Sequence, residues 1–246
     1  AFILLLPIIL FRKGKDIPTG QGRYHLLRAV TGITGFLLFI AAAQLTTLVD
    51  TNVLVNTTPI FIPILALLFL HQHIPRAVWI AIIIGFVGVV VIVRPDASIF
   101  SNPGNLVALG AGLVTAIEFL AVNHLDRTES PLTQLFYFLL FGVVVLGLIS
   151  IGKFNAAPEW AYWMMLGTGL CLLAFQFLLI KAYQFAKPHE IGAFQYISVV
   201  FAAIYGVVLF KETIQLETII GAILVCVGGV ISITGSSTKS LPKSVP

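Results

Sequence analysis

The sequence predicts an all-α integral membrane protein, a helical bundle of two inverted five-helix repeats, and three observations lead there. Of the 246 residues 59% are hydrophobic and 10% charged, where a soluble domain carries about 25% charge. Apolar runs of about 20 residues recur from end to end, the length a helix needs to cross a hydrocarbon core about 30 Å thick. Residues of the first half also return about 140 positions later, a fixed-period self-similarity that marks a repeat. Backbone polar groups left unpaired in lipid restrict spanning segments to helices or closed barrels. The short alternating stretches of barrel strands do not occur.

Along the chain, the stretch from Ala1 to Phe11 is apolar and is followed by Arg12, Lys13 and Lys15. A signal peptide has the opposite order, charge before the apolar region, and about 11 residues cannot span. The stretch is read as the tail of a helix that starts outside this chain. Eight complete spans follow, at about Leu26–Thr46, Thr51–Leu70, Ala77–Val93, Gly104–His124, Pro131–Ile151, Trp160–Lys181, Glu190–Phe210 and Thr218–Thr234, with ends good to about 2–4 residues. Connections are short, and no soluble domain fits between spans. The tail 235–246, rich in Ser, Lys and Pro, is expected to be disordered and cytoplasmic.

Charge sets the orientation. If loops alternate sides, Arg94, Lys153 and Lys211 lie on one side and the other 11 of the 14 Lys and Arg, Arg28 among them, on the other. The positive-inside bias then puts the first long loop and the C-terminus in the cytoplasm of an inner or plasma membrane protein. The pI near 9.2 therefore reflects topology and not nucleic-acid binding. Cys171 and Cys226 are too few and too far apart for a disulfide framework, and each lies in an apolar run. They are read as packing residues.

At the repeat offset Leu38, Ile40, Ala42 and Gln44 meet Leu178, Ile180, Ala182 and Gln184, and Ile74, Val87, Gly88 and Val90 meet Ile214, Val227, Gly228 and Val230. The two glutamines and two glycines are the informative matches. Five spans separate equivalent positions, an odd number, so the halves are inverted, as in secondary transporters. Residues 1–94 form the first repeat and 104–234 the second. The second repeat opens with two spans whose mates begin before residue 1, the first wholly and the second for most of its length, so the intact protein is expected to have ten helices, eight complete and part of one being present. The chain alone is then expected to be inactive.

Asn56-Thr57-Thr58-Pro59-Ile60, then Trp79 and Gly85-Phe86-Val87-Gly88, resemble the signature of the drug/metabolite transporter superfamily, EamA type. In the second half Phe210-Lys211-Glu212-Thr213 before Gly221 and Gly228-Gly229 is similar. The family has an acidic residue at the turn between the fourth and fifth helices of each half; Glu212 fits, but Gln72 stands at the first position. The resemblance implies a small-molecule carrier, a central cavity and a peripheral last helix in each half. It names no substrate.

Intramembrane polar residues supply the candidate substrate path. Glu118 lies about two-thirds along its span, on a stripe with Ala111, Thr115 and Val122. It would accept a coupling proton or hold a cationic part of the substrate; the bland alternative is a carboxylate reaching water near the span's end. Asn52, Asn56, Pro59 and Pro63 share a face, and the repeat sets Tyr196 opposite Asn56 with Gln195 beside it. The alternative there is interhelical hydrogen bonding, worth about 0.6 kcal/mol. Gln176 is the deeper cavity candidate, whereas Gln44 and Gln184 suit an interface. Lys181 can snorkel, and Trp160, Tyr162 and Trp163 read as an aromatic belt. Gly85, Gly88, Gly228 and Gly229 suit close helix approach. His71 and His73, two residues apart, face different sides of a helix and make no metal site.

No zinc-protease, Walker or nucleophile-elbow motif occurs, and neither an enzyme activity nor a cofactor nor a metal is expected. The leading expectation is a secondary transporter of a small organic solute working by alternating access. The alternatives are an intramembrane enzyme or non-transporting subunit acting on lipid-linked substrates, and a passive channel. Expected partners are a small-molecule substrate and membrane lipid, with a coupling proton and a homodimer left open and no nucleic acid.

Overall fold

A computed structural model describes residues 2–11, 19–71, 73–93, 102–152, 158–210 and 216–236, and among these all regular structure is α-helical. The elements are α1 (Phe2–Phe11), α2 (Gly22–Leu45), α3 (Leu48–Val55), α4 (Thr58–Leu70), α5 (Arg76–Val93), α6 (Pro103–Asp126), α7 (Pro131–Ser150), α8 (Glu159–Phe185), α9 (Pro188–Phe194), α10 (Ile197–Phe210) and α11 (Leu216–Ser236). Every expected span has its helix, and six segments, Asp50–Leu70 among them, are long and apolar enough to cross a membrane. The chain is a multi-pass integral membrane protein. Gln72, Glu212 and the tail beyond 236 lie outside the described residues.

Two expected spans are each broken once. The run Thr51–Leu70 divides at Asn56 and Thr57 into α3 and α4, and the run Glu190–Phe210 at Gln195 and Tyr196 into α9 and α10. The first break has a local cause. Pro59 has no N–H to give Val55, and in lipid no water replaces it. The Thr58 hydroxyl donates to the Val55 carbonyl instead (2.7 Å), and the Thr57 hydroxyl donates to that of Leu54. Hydropathy cannot show such a break, because both sides of it are apolar.

The chain forms two compact units, Ala1–Ile33 with Glu118–Ala186, and Thr34–Ile117 with Lys187–Pro246. The first holds α1, the start of α2, the end of α6, α7 and α8. In it α1 packs on α7 and α8, with the rings of Phe2 and Phe136 5.9 Å apart. Helix α7 starts at Ser130, whose side chain accepts from the Thr133 N–H (3.2 Å), with Pro131 in the first turn where its missing donor costs nothing. Of the 27 residues of α8 only Gly169, Gln176, Leu179, Ile180 and Tyr183 are buried, one stripe at helical spacing. The rest of α8, including exposed Trp160, Tyr162 and Trp163, presents apolar and aromatic surface suited to lipid.

In the second unit α5 and α11 cross closely. A Cβ on Gly88 would lie 2.7 Å from the Gly221 carbonyl oxygen, and one on Gly228 would lie 2.7 Å from that of Ala81. Ile92 also meets Gly221, so partners on α11 fall in number as those on α5 rise, and the helices run antiparallel. Backbone-to-backbone approach of this kind is how helices associate where lipid removes the hydrophobic drive. Tyr196, wholly buried, lies against Gly85 and packs with Val89, Val199 and Val225. Cys171 and Cys226 are unpaired and exposed, not packed inside the protein as expected from their apolar runs. A spanning helix has a lipid-facing side as apolar as its packed one, and sequence alone does not separate the two. Helix α4 ends at His71, whose left-handed backbone (φ 50°) turns its N–H to the Ala66 carbonyl.

Candidate functional site

The first unit carries a buried polar cluster centred on Arg28. Arg28 sits on one stripe of α2 with His25, Ala29 and Gly32, the three-and-four spacing of a single helix face. It is 0% exposed. Its Nη1 donates to Gln134 Oε1 of α7 (3.3 Å) and its Nη2 to Gln176 Oε1 of α8 (3.0 Å). Its guanidinium carbon stands 4.9 Å from the Phe138 ring centroid, within cation–π range. A guanidinium only donates, so both glutamine oxygens must face it and both amide nitrogens must turn elsewhere.

Glu118 of α6 is buried in the same cluster, its carboxyl lying against α2 at Gly32. Gly32, one turn after Arg28, lets the α6 carboxyl rest on the α2 backbone: a Cβ there would lie 2.9 Å from Glu118 Cδ and 2.7 Å from Phe138 Cε2. Tyr183, one turn beyond Ile180 on the α8 stripe, is buried with its ring 6.4 Å from that of Phe119. Glu118 Oε1, Arg28 Nε, Gln134 Nε2 and the Tyr183 hydroxyl are all buried without a hydrogen-bond partner. Toward the start of α2, buried His25 lies 3.9 Å from Glu129, which accepts from the Thr19 hydroxyl.

An isolated buried ion costs several kcal/mol, and Arg28 is held by the oxygens of Gln134 and Gln176 and by the Phe138 ring. Intramembrane ions of this kind mark substrate and ion pathways.

Of the residues singled out in the sequence, Glu118 and Gln176 meet in this cluster. Thr115, Asn52, Asn56, Gln195 and Tyr196 belong to the second unit. There the Asn52 and Asn56 amides donate to carbonyls of their own helix, Leu48 and Asn52, each at 2.8 Å. Thr115 Oγ1 faces Gly35, the Gln195 carbonyl accepts from the Ser198 hydroxyl, and Tyr196 is enclosed as described. Gln44 and Gln184 are exposed, Gln184 accepting from Lys181 Nζ at 3.0 Å.

Arg28 and Gln134 are the residues that sequence reasoning missed. Arg28 was counted with the loop cations, though it falls inside the span drawn from Leu26. An arginine within a span, on one face with a histidine and a glycine, was the available signal.

The EamA-like transporter family model matches residues 1–94 and 102–234. The chain belongs to the EamA-like transporter family. It is 27% identical over 249 residues to an S-adenosylmethionine uptake transporter of Rickettsia bellii (strain RML369-C), covering 99% of this chain and 83% of the relative. It is 28% identical over 222 residues to a riboflavin transporter of Vibrio cholerae, covering 85% and 71%. It is 25% identical over 257 residues to Solute carrier family 35 member G1 of Mus musculus, covering 96% and 68%. A solved crystal structure superposes with a TM-score of 0.77 at 16% identity, covering 97% of this chain and 85% of that one, which speaks to fold alone. This EamA-like chain is thus a membrane transporter of small solutes.

Proposed function

We propose that the chain is a secondary carrier that moves a small organic solute across an inner or plasma membrane by alternating access, with Arg28, Glu118, Gln134, Gln176 and Tyr183 as its solute contacts. The carrying observation is the buried polar cluster, Arg28 hydrogen-bonded to Gln134 and Gln176 with Glu118 buried in the same unit, whose further polar atoms have no hydrogen-bond partner. The names of the relatives agree on transport and differ in cargo, S-adenosylmethionine in one and riboflavin in another, so the cargo has to be argued from this chain's own residues.

Residues 1–94 and 104–234 are two inverted repeats in this reading, with 235–246 a cytoplasmic tail. Equivalent helices support it: α3 and α9, like α5 and α11, begin about 140 residues apart. The contact of Gly88 with Gly221 is also the mate, at that offset, of the contact of Gly228 with Ala81. Two equivalent helices crossing antiparallel through reciprocal contacts is what a two-fold axis in the membrane plane produces. Glu118 also takes the coupling proton when a proton gradient drives transport. Asn56, Gln195 and Tyr196, at the helix breaks, and Asn52 and Thr115 near them, remain substrate-path candidates, since broken helices form midplane sites in carriers.

The test is counterflow by the purified full-length protein in proteoliposomes, with candidates first found by thermal shift, since a ligand that binds the native state raises its apparent stability. A carrier gives saturable, competitor-sensitive exchange. Flux that does not saturate indicates a channel, and product formed from a lipid-linked substrate indicates an enzyme.

A further inference from the structure

The start of α2 is tied to the turn between α6 and α7 by groups that the cluster around Arg28 does not use. The Thr19 hydroxyl accepts from the Gln21 N–H (2.9 Å) and donates to Glu129 Oε1. One group thus both orders the helix start and fastens it to the turn. Tyr24 stacks on His124 of α6, with ring centroids 3.8 Å apart, and the His25 ring lies 4.6 Å from that of Tyr137 on α7. The turn is held by its own bonds: the Glu129 N–H donates to the Leu125 carbonyl (2.8 Å), and Ser130 caps α7. All of these residues belong to the first unit.

His25 is the member of this contact that can change its charge under ordinary conditions. It is 1% exposed, and neither Nδ1 nor Nε2 has a hydrogen-bond partner. A neutral imidazole carries one donor and one acceptor, whereas an imidazolium presents two charged donors. Glu129 Oε1, 3.9 Å from Nε2, is beyond hydrogen-bond reach and already accepts from Thr19. Arg28, three residues on along the same face of α2, would oppose a second positive charge. Tyr137 offers a ring from α7, and His124 of α6 is engaged with Tyr24. Asp126 at the end of α6 and Lys181 on α8, which donates to Gln184, also lie toward this end of the unit. The contact therefore fits the neutral ring, and a proton on His25 works against it. Histidine changes charge between about pH 5 and 8, so the contact is complete at neutral and alkaline pH and is lost as pH falls through that range.

We propose that the start of α2 is a proton-released latch: Thr19 and Glu129 hold it to the α6–α7 turn, the neutral His25 ring seals it, and a proton on His25 lets it open. The charge bias assigns this end to the cytoplasm, so the latch is a gate on that side and answers to the acidity there. The movement stands apart from the solute contacts; its role as a gate rests on the carrier reading.

The test measures the distance between spin labels on Gly22→Cys and Thr128→Cys in the full-length protein in lipid nanodiscs, in a Cys171→Ser, Cys226→Ser background. Both labelled positions are exposed, and nothing lies within 4 Å of a Cβ at Gly22. From pH 8 to pH 5.5 the open-to-closed ratio is expected to rise about three- to tenfold, tenfold being the ceiling for a histidine that takes its proton near pH 6.5 once in water. His25→Gln, which stays neutral, should remain closed and flat with pH. His124→Gln should keep the acid step, and Thr19→Val should open more at every pH and still keep it. If His25→Gln does not fold, Glu129→Gln decides: it should open more at pH 8 and keep at least the wild-type step, whereas a step lost with Glu129 assigns the proton to the carboxylate and overturns the proposal. Distances unchanged with pH, a step that survives in His25→Gln, a step lost in His124→Gln, or closing in acid also overturn it. Counterflow on the same samples tests the gate, and it should quicken in acid in wild-type protein but not in His25→Gln. An acid-opened distance with no such difference in counterflow overturns the gate and leaves the carrier reading standing; non-saturable flux at every pH removes the carrier reading, while the distances still decide the latch.

Discussion

Replacing Gly32 with alanine tests the site without touching any of its polar groups. The new Cβ would lie 2.7 Å from Phe138 Cε2 and 2.9 Å from Glu118 Cδ. Ordinary carbon contacts are about 3.5 Å or longer, so the ring must retreat by roughly 0.8 Å and the carboxyl by roughly 0.6 Å. Gly→Ala inside a helix contributes about 1 kcal/mol of stability, and overpacking of this kind costs about 1–3 kcal/mol. Folding stability should therefore fall by at most about 2 kcal/mol. Function should suffer more. Shifting the buried Glu118 carboxyl displaces a solute contact of this site, and a charge-assisted contact to solute worth about 1.5–3 kcal/mol is roughly 10- to 100-fold in kcat/KM for transport. Gly142→Ala on α7 of the same unit is the control, since nothing lies within 4 Å of its Cβ position; it should transport as wild type and unfold at an equal or higher temperature. Thermal unfolding in detergent and initial counterflow rates read both quantities. Equal transport by the two variants would refute the placement of Glu118 against α2 as a requirement of the site.

Three further outcomes are expected. Glu118→Gln in the full-length protein should abolish transport or uncouple it from a proton gradient, and uptake unchanged with and without that gradient would count against Glu118 as the proton carrier. Gly88→Ala should destabilise by about 1–3 kcal/mol, because the atom it meets is the Gly221 backbone oxygen and cannot swing aside; a melting temperature equal to wild type contradicts the close α5–α11 crossing. Thr58→Val removes the hydroxyl that serves both the Val55 and Gly112 carbonyls and should cost about 1–3 kcal/mol, measured by the same unfolding assay, with no loss expected if water fills the break.

The spans were legible because burial in lipid imposes length and apolarity on every one of them. The proposed repeat draws on Gln44, Gln184, Gly88 and Gly228, where non-default residues recur at one offset. The breaks in α3/α4 and α9/α10 were not, because hydropathy averages over them; Pro59 pointed to the first, and the second contains no proline. Glu118 and Gln176 stood out as polar groups deep in apolar runs. Arg28 did not, because near a span end arginine normally snorkels to the interface, and only tertiary packing shows that α7 and α8 enclose it. Asn52 and Asn56 show the converse: a polar side chain in a span can spend its donor on its own helix, and sequence does not say which it will do.

The central claim, that Arg28 directly holds the solute, is tested most directly by the Kd of the best counterflow substrate for wild-type protein and Arg28→Lys, measured by calorimetry on matched preparations. Lysine keeps the charge but has no planar fork to reach Gln134, Gln176 and a solute together. Binding at least roughly tenfold weaker, with the variant still folded and monodisperse, is the predicted result. An unchanged Kd would place the solute elsewhere in the protein.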